Sequence, residues 1–294
     1  MNLDLTIFIP TYNREIMLKA CISAIKKSLM GSGISYEILV VNESPKPINL
    51  HEENGNIAIL NFEKELMPCN AMYLALLRAK GRYFLRIDDD NEIDKDSIPR
   101  LYNYINKHNN VAYCGALAKN DEGTISNHGT IFSKYFKFSL RKQSMINEVY
   151  DVDLVDNVYI MNPQLIDLDK FRITCNFFPW SFEDGYDQLR LKKMNYRICT
   201  LTNAITIHHT HTKGINLKQV YHYGRSKLLM YIYIFEFSYI KAVTLSIISS
   251  LFIPYVYKTD IHNLRMLFLT YRSYFKGFKD AIKFIKTHKC LEFK

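Results

Sequence analysis

Apolar and polar positions in the first half of the chain alternate between two rhythms. Leu5 to Ile9 is a run of strand length, apolar but for Thr6, and Glu15 to Leu29 then carries Met17, Leu18, Ala20, Cys21 and Ile25 at helical spacing. Further strands are predicted over Tyr36–Val41 and Ile57–Leu60, and a helix over Pro68–Ala79 with Met72, Ala75, Leu76 and Ala79 on one face. Gly81 reads as the C-cap of that helix, and the strand Tyr83–Ile87 follows. Strands separated by helices of this length predict an α/β fold with a parallel, doubly wound sheet and one hand of crossover. The stretch 110–180 is less regular, with short strands at Val111–Cys114, Gly129–Phe132 and Val158–Met161; a helix over Tyr186–Met194 and a strand over Ala204–His208 come next.

The last third has a different pattern. Ala242 to Tyr257 is an uncharged run, shorter than the roughly 20 residues that span a bilayer and interrupted by Pro254. It predicts a segment that dips into or lies on one leaflet. In the final helix Leu264, Phe268, Tyr271, Phe275 and Phe278 recur every three or four residues, beside a basic stripe of Arg272, Lys276, Lys279, Lys283 and Lys286. An aromatic face next to a lysine face suits an anionic membrane surface.

Charge sharpens this division. Residues 1–212 hold 24 Lys/Arg against 25 Asp/Glu, whereas residues 213–294 hold 14 against 4. A basic tail is one mark of nucleic-acid binding, but this one is rich in Tyr, Phe, Leu and Ile, which favours lipid. The six cysteines, at 21, 69, 114, 175, 199 and 290, form no C-x-x-C pair, which fits a reducing cytoplasm and neither a disulfide framework nor a zinc site. The opening MNLDLTIFIPTYNRE reads as a first strand, not a secretion signal.

The chemistry gathers where the strand ending at Ile87 runs into Asp88, Asp89 and Asp90. Carboxylates crowded at a strand exit, with no counter-charge beside them, repel one another unless a cation or a basic partner sits there. Hard divalent ions bind through one or two carboxylates plus substrate phosphates, and strand ends of open α/β sheets are where ligands bind. The expectation is a metal–diphosphate site. An EF-hand is excluded, because Ile93 stands where its loop needs Gly and the run follows a strand.

Four segments in order resemble family 2 of the inverting, nucleotide-sugar-dependent glycosyltransferases. IFIPTYNRE is similar to the family's first strand and turn, EILVVNES to its second strand, MPCNAMYLALLRAKGRYFLRIDDD to its Asn-helix-DxD stretch, and WSFEDGYDQLRLKKMNYRI to its "ED" segment. The resemblance implies a GT-A fold over residues 1–212, with a nucleotide-binding half at 1–110 and an acceptor half at 111–212; the apolar segments and basic charge of residues 213–294 predict a helical, membrane-associating region there. The resemblance places Pro10, Thr11, Tyr12, Asn13, Arg14, Asn42, Glu43, Asn70, Asp88 and Asp89 around the nucleotide sugar. Asp90 and Asp88 are its metal ligands for Mg²⁺ or Mn²⁺, with His208 or His209 of ITIHHTH (His211 closes that run) as a third, His208 first. Two positions depart from the family pattern: Asn42 replaces the acid that contacts the base, and Cys69 replaces the Arg before Asn70.

The roles implied are those of a single displacement. With a nucleoside diphosphate leaving, the reaction needs a base for the acceptor hydroxyl but no general acid. Asp184 is the first choice of base and Glu183 the alternative, although acids also favour helix N-termini. Trp180, the only tryptophan, is placed to stack on an acceptor sugar or to serve in packing. A basic nucleic-acid-binding protein and a sugar nucleotidyltransferase are the rival readings. PTYNRE lacks the Gly-rich phosphate loop the latter uses. The whole predicts transfer of one sugar to a lipid-linked or cell-surface glycan at the inner face of the cell membrane, with no nucleic acid as partner.

Overall fold

The computed structural model describes residues 3–49, 56–132, 138–140, 148–209, 215–257, 259 and 262–287. The chain divides into two compact units, one of Met1–Arg172 with Asp187–Thr210 and one of Ile173–Tyr186 with His211–Lys294. His211 lies outside the described residues.

The first unit is built on β1 (Leu3–Thr11), followed by α1 (Glu15–Leu29), β2 (Tyr36–Asn42), β3 (Ile57–Asn61), α2 (Pro68–Leu76) and β4 (Gly81–Ile87). Leu5, Ile7 and Ile9 on one face of β1 and Thr6 and Phe8 on the other are all buried. A strand covered on both faces has no solvent-facing side to alternate with, which is why its sequence is apolar but for Thr6, whose hydroxyl donates to Glu37 Oε1 at 2.7 Å. β1 pairs parallel with β2 and with β4, and β2 with β3. The chain continues through β5 (Asn91–Ile93), α3 (Ser97–Lys107), β6 (Val111–Lys119), β7 (Ile125–Asn127), β8 (Thr130–Phe132), β9 (Phe138–Leu140), β10 (Val149–Asp151) and β11 (Val158–Met161). Then come α4 (Leu168–Phe177) and α5 (Glu183–Lys193), each divided between the two units, and β12 (Arg197–His208) of the first.

The ten-stranded sheet runs β10-β12-β6-β11-β4-β1-β2-β3, with β5 on β12 and β7 on β6. β11 is antiparallel to both of its neighbours, and β12 is parallel to β6. The sheet is therefore mixed, with its parallel block at β4-β1-β2-β3. The carboxyl ends of β1, β2 and β4 lie side by side, since Thr11 is paired with Asn42 and Phe8 with Arg86.

Four sequence expectations change in detail. The second helix ends at Leu76, and Gly81 opens β4 instead of capping the helix. A Cβ at Gly81 would overlap the backbone of Leu5 and Thr6, so the close approach of β4 to β1 is what requires glycine there. The helix expected to begin at Tyr186 begins at Glu183, and the strand expected from Ala204 begins at Arg197.

The second unit contains α6 (Leu217–Leu229), continued by a π-helical turn over Met230–Ile234, then α7 (Tyr239–Ser250), the single turn α8 (Ile253–Val256) and α9 (Leu264–Thr287). α6 and α9 cross closely at two glycines: a Cβ on Gly224 would overlap Tyr274, and one on Gly277 would overlap the Tyr221 carbonyl. α9 buries Thr270, Tyr274, Gly277, Phe278 and Ala281. Much of its aromatic face is thus occupied by protein, while Arg272, Lys276, Lys279, Lys283 and Lys286 are exposed. Among the described residues no helix is long and apolar enough to cross a membrane.

Gly81→Ala tests the β1–β4 approach. Because backbone must move, about 3 kcal/mol of stability is expected to be lost. Urea unfolding of the two proteins measures it, and a loss below about 1 kcal/mol contradicts the account.

Candidate active site

Asp88, Asp89 and Asp90 occupy the turn between β4 and β5. Asn91 N donates to Asp88 O at 3.0 Å, closing the turn, and Asp88 N donates to Asn157 O at 3.3 Å. The three carboxylates point to different partners. Asp89, with its side chain 5% exposed, accepts from Thr11 Oγ1 at 2.7 Å and from Arg14 Nη1 at 2.9 Å. Asp90 Oδ2 lies 2.5 Å from the same Arg14 nitrogen. Asp88 Oδ1 accepts from Arg86 Nε at 3.0 Å. Of the two ways to relieve the three acids, a cation or a basic partner, the chain itself supplies the second.

Burial dominates the titration of Asp89 and pushes its carboxyl up to about 6, with Arg14 and the Thr11 hydroxyl opposing that rise. For Arg14 burial is again the largest influence and disfavours the charge, but the Asp89 and Asp90 carboxylates outweigh it and hold the guanidinium above its usual value. Arg14 thereby ties the loop after β1 to the loop after β4. Asn13, in the left-handed region at φ 54°, makes the tight bend that brings Arg14 round, and its N–H donates to Ser44 Oγ at 2.7 Å. An Asn tolerates that conformation better than most side chains. Pro10 is half-buried at the end of β1, and Tyr12 is exposed beside it.

His208 reaches the acids because β12 runs antiparallel to β5, pairing His208 with Asn91. Its Nε2 lies 3.6 Å from Asp90 Oδ1. His209 N donates to Asp90 O at 2.9 Å, while the His209 ring faces Glu92 at 3.3 Å and also meets Asp121. Of the two histidines, His208 is the one that shares space with Asp90. Among the described residues no group of three or more His, Cys, Asp or Glu side chains is gathered to hold a metal ion. The Asp90–His208 pair nonetheless fits one: two donors each about 2.1 Å from an ion can stand this far apart, and such ions commonly take only one or two protein ligands plus phosphates.

The remaining predicted residues fall into two groups. Asn42 is buried and uses its amide within the chain, donating to Lys46 O at 3.0 Å and Asn61 Oδ1 at 2.7 Å and accepting from Ser44 N at 3.0 Å. Glu43 Oε2 accepts from Leu66 N at 2.6 Å and Met67 N at 3.2 Å, and Asn70 Nδ2 donates to Leu66 O at 2.8 Å. Glu43 and Asn70 thus shape the loop that leads into α2, and Asn42 braces the loop that follows β2. Glu183, Asp184 and Trp180 belong to the second unit. Glu183 is buried in the first turn of α5, which Asp184 shares. Trp180 is half-buried, with the His222 ring 5.9 Å away and Lys218 Nζ 5.9 Å from its centroid, and its carbonyl accepts from Ser226 Oγ at 3.2 Å.

Two arginines escape the sequence patterns. Arg86 is buried in β4, and a charge inside the apolar run Tyr-Phe-Leu-Arg-Ile, two positions before an acid, is the signal that identifies it. Arg225 of α6 donates to Asn176 O at 2.8 Å and to Phe177 O, and lies 5.0 Å from the Phe284 ring centroid. Nothing in the local sequence of α6 announces that bond pattern, which arises from distant backbone carbonyls.

With this geometry in view, the family model described as "Glycosyl transferase family 2" matches residues 6–156, which covers β1, β2, β4 and the acidic turn. The chain belongs to glycosyl transferase family 2. No curated protein matches it. Its fold is that of solved GT-A glycosyltransferases. The S. aureus TarS 1–349 structure in complex with UDP-GlcNAc is 14% identical with a TM-score of 0.57, over 94% of this chain and 81% of that one. GalNAc-T7 with UDP, GalNAc and Mn²⁺ is 14% identical with a TM-score of 0.58, over 98% and 58%. Against another S. aureus TarS structure the TM-score is 0.52 at 16% identity, and this chain spans 41% of that longer one.

Removing the guanidinium from this family 2 chain tests the arginine clamp. Arg14→Met leaves Asp89 buried without its cation, and about 3 kcal/mol of stability is expected to be lost at pH 8. At pH 5, below the Asp89 value of about 6, the carboxyl carries a proton and the loss shrinks. Equal losses at both pH values, read from denaturant unfolding, contradict the clamp.

Proposed function

We propose that the chain transfers one sugar, with inversion, from a nucleotide-diphosphate sugar to a hydroxyl of a glycan acceptor, and that the reaction depends on Mg²⁺ or Mn²⁺. The observation that carries this is the convergence of Thr11, Arg14, the Asp88–Asp90 turn and His208 at the carboxyl ends of β1, β4 and β12 in a family 2 chain. Donor sites of known fold neighbours support it: TarS structures hold UDP or UDP-GlcNAc, and GalNAc-T7 holds UDP, GalNAc and Mn²⁺.

In this reading Asp90 and His208, with Asp88 alongside, would hold the ion. The bound ion supplies Lewis-acid neutralisation of the leaving group's charge. Pro10 to Arg14 form the rim of the nucleotide pocket, and Asn42, Glu43 and Asn70 fix the loops behind it. Asp89 keeps Arg14 facing the site. The acceptor oxygen bonds to C1 as the C1–O bond to the diphosphate breaks with its electron pair, and the acceptor's proton passes to Asp184, or to Glu183 as the alternative base. Trp180 stacks on the acceptor sugar. The acceptor is a lipid-linked or cell-surface saccharide, and the enzyme works in the cytoplasm, attached peripherally to the inner face of the cell membrane. The strongly basic final 82 residues support that placement.

Two measurements test the reading. UDP, GDP, CDP and dTDP sugars are screened by thermal shift with and without Mn²⁺ or Mg²⁺. One nucleotide class is expected to raise Tm only with metal, and Asp90→Ala is expected to abolish that rise; no rise with any of them refutes the site. With the donor so named, Asp184→Asn is expected to lower kcat by about 10³-fold while donor KM stays within about threefold. Full activity in that variant with loss in Glu183→Gln transfers the role of base to Glu183.

A further inference from the structure

In the second unit, α7 is inside out for a helix in water. Its inward positions are Ala242, Ser246 and Ser250, all buried, spaced four apart. Their neighbours are polar as well: Tyr274 Oη donates to Ser246 O at 2.8 Å, and Tyr231 Oη lies 3.1 Å from Ser249 Oγ. The large apolar residues face outward, with Ile240 78%, Leu251 70% and Tyr255 of α8 87% exposed. A helix at a protein–water surface turns its apolar stripe to the core. Small residues against the neighbouring helices and large apolar ones outward is the arrangement of helices in lipid.

The exposure is concentrated. Of the sixteen large hydrophobic side chains exposed among the described residues, ten lie between Tyr239 and Phe268. Apolar surface massed in this way marks a docking face. Charge identifies the occupant. Lys241 adjoins Ile240, Arg265 adjoins Leu264, and all four are exposed. Residues 213–294 hold 14 Lys/Arg against 4 Asp/Glu, so a second copy presenting the same basic face would be repelled, whereas an anionic bilayer is attracted.

We propose that the outward face of α7 and α8 (Ile240, Ile247, Ile248, Leu251, Phe252 and Tyr255) is a lipid-docking surface that seats in one leaflet of an anionic membrane, flanked by Lys241 and Arg265. This rests on the peripheral attachment read above and names the surface that makes it. It narrows the contact expected of residues 242–257 to named side chains; in α9 Tyr274 and Phe278 are buried in protein, and its large exposed apolar side chains are Leu264 and Phe268. Both exposed helix elements lie in the unit that also contains Trp180, Glu183 and Asp184, so the docking face and the acceptor-side residues belong to one body.

Co-sedimentation of the full chain with 3:1 phosphatidylcholine/phosphatidylglycerol vesicles tests it, beside the triple variant Ile247→Ser, Leu251→Ser, Phe252→Ser. The wild type is expected to bind, and the variant to bind about 100-fold more weakly, with an unchanged donor-induced Tm rise showing that it is folded. In a second arm, Tyr255→Trp is expected to shift its emission to the blue on vesicles and to be quenched by brominated acyl chains. If the wild type binds and the triple variant binds equally, the surface is wrong and the attachment stands. If the wild type binds no vesicle, the attachment itself fails while the donor screen is unaffected. A concentration-dependent dimer in sedimentation velocity, lost in the variant and without vesicle binding, assigns the face to a second copy and overturns the proposal.

Discussion

Asp89 is a carboxylate buried at the junction of two parallel strands, and the order of the whole edge depends on its being matched. Thr11 comes from the end of β1 and Arg14 from the loop beyond it, so both partners reach Asp89 only if β1 and β4 are neighbours in this register. The same guanidinium also bonds Asp90, leaving that residue's other oxygen turned to His208. A buried charge without a partner costs several kcal/mol, more than most single contacts return. The clamp and the sheet therefore stand or fall together.

Charge compensation by the chain also changes how the acidic turn is understood. Three adjacent carboxylates read along the sequence as a site awaiting a cation. In the fold, Asp88 is already held by Arg86, and Asp89 and Asp90 by Arg14. What distinguishes Asp90 is that it meets a histidine brought by a strand more than a hundred residues away. Under the proposed function this division gives the acids separate tasks, with Asp89 orienting Arg14 and Asp90 facing the ion.

The second unit follows different rules. The α6–α9 crossing is set by two glycines that let backbones approach, and the aromatic residues of α9 that face α6 are consumed there. Apolar periodicity in α9 therefore reports protein packing. In α7 the inward residues are alanine and serines, and the apolar ones are left outside. Two helices with apolar periodicity face opposite environments, because periodicity reveals that a face exists but not what covers it.

The alternation of mostly apolar, strand-length runs with helical segments was enough to place a doubly wound α/β sheet. The acidic turn and the segments resembling family 2 marked the edge that matters. The junctions were beyond the sequence. Gly81 looked like a helix cap because glycine serves several backbone purposes, and only the proximity of β1 selects one. Arg14 as the counter-ion of Asp89 and Asp90, His208 beside Asp90, and the outward face of α7 were decided by tertiary structure alone. Each is a relation between residues far apart in the chain, and local composition carries no information about which distant surface a side chain will meet.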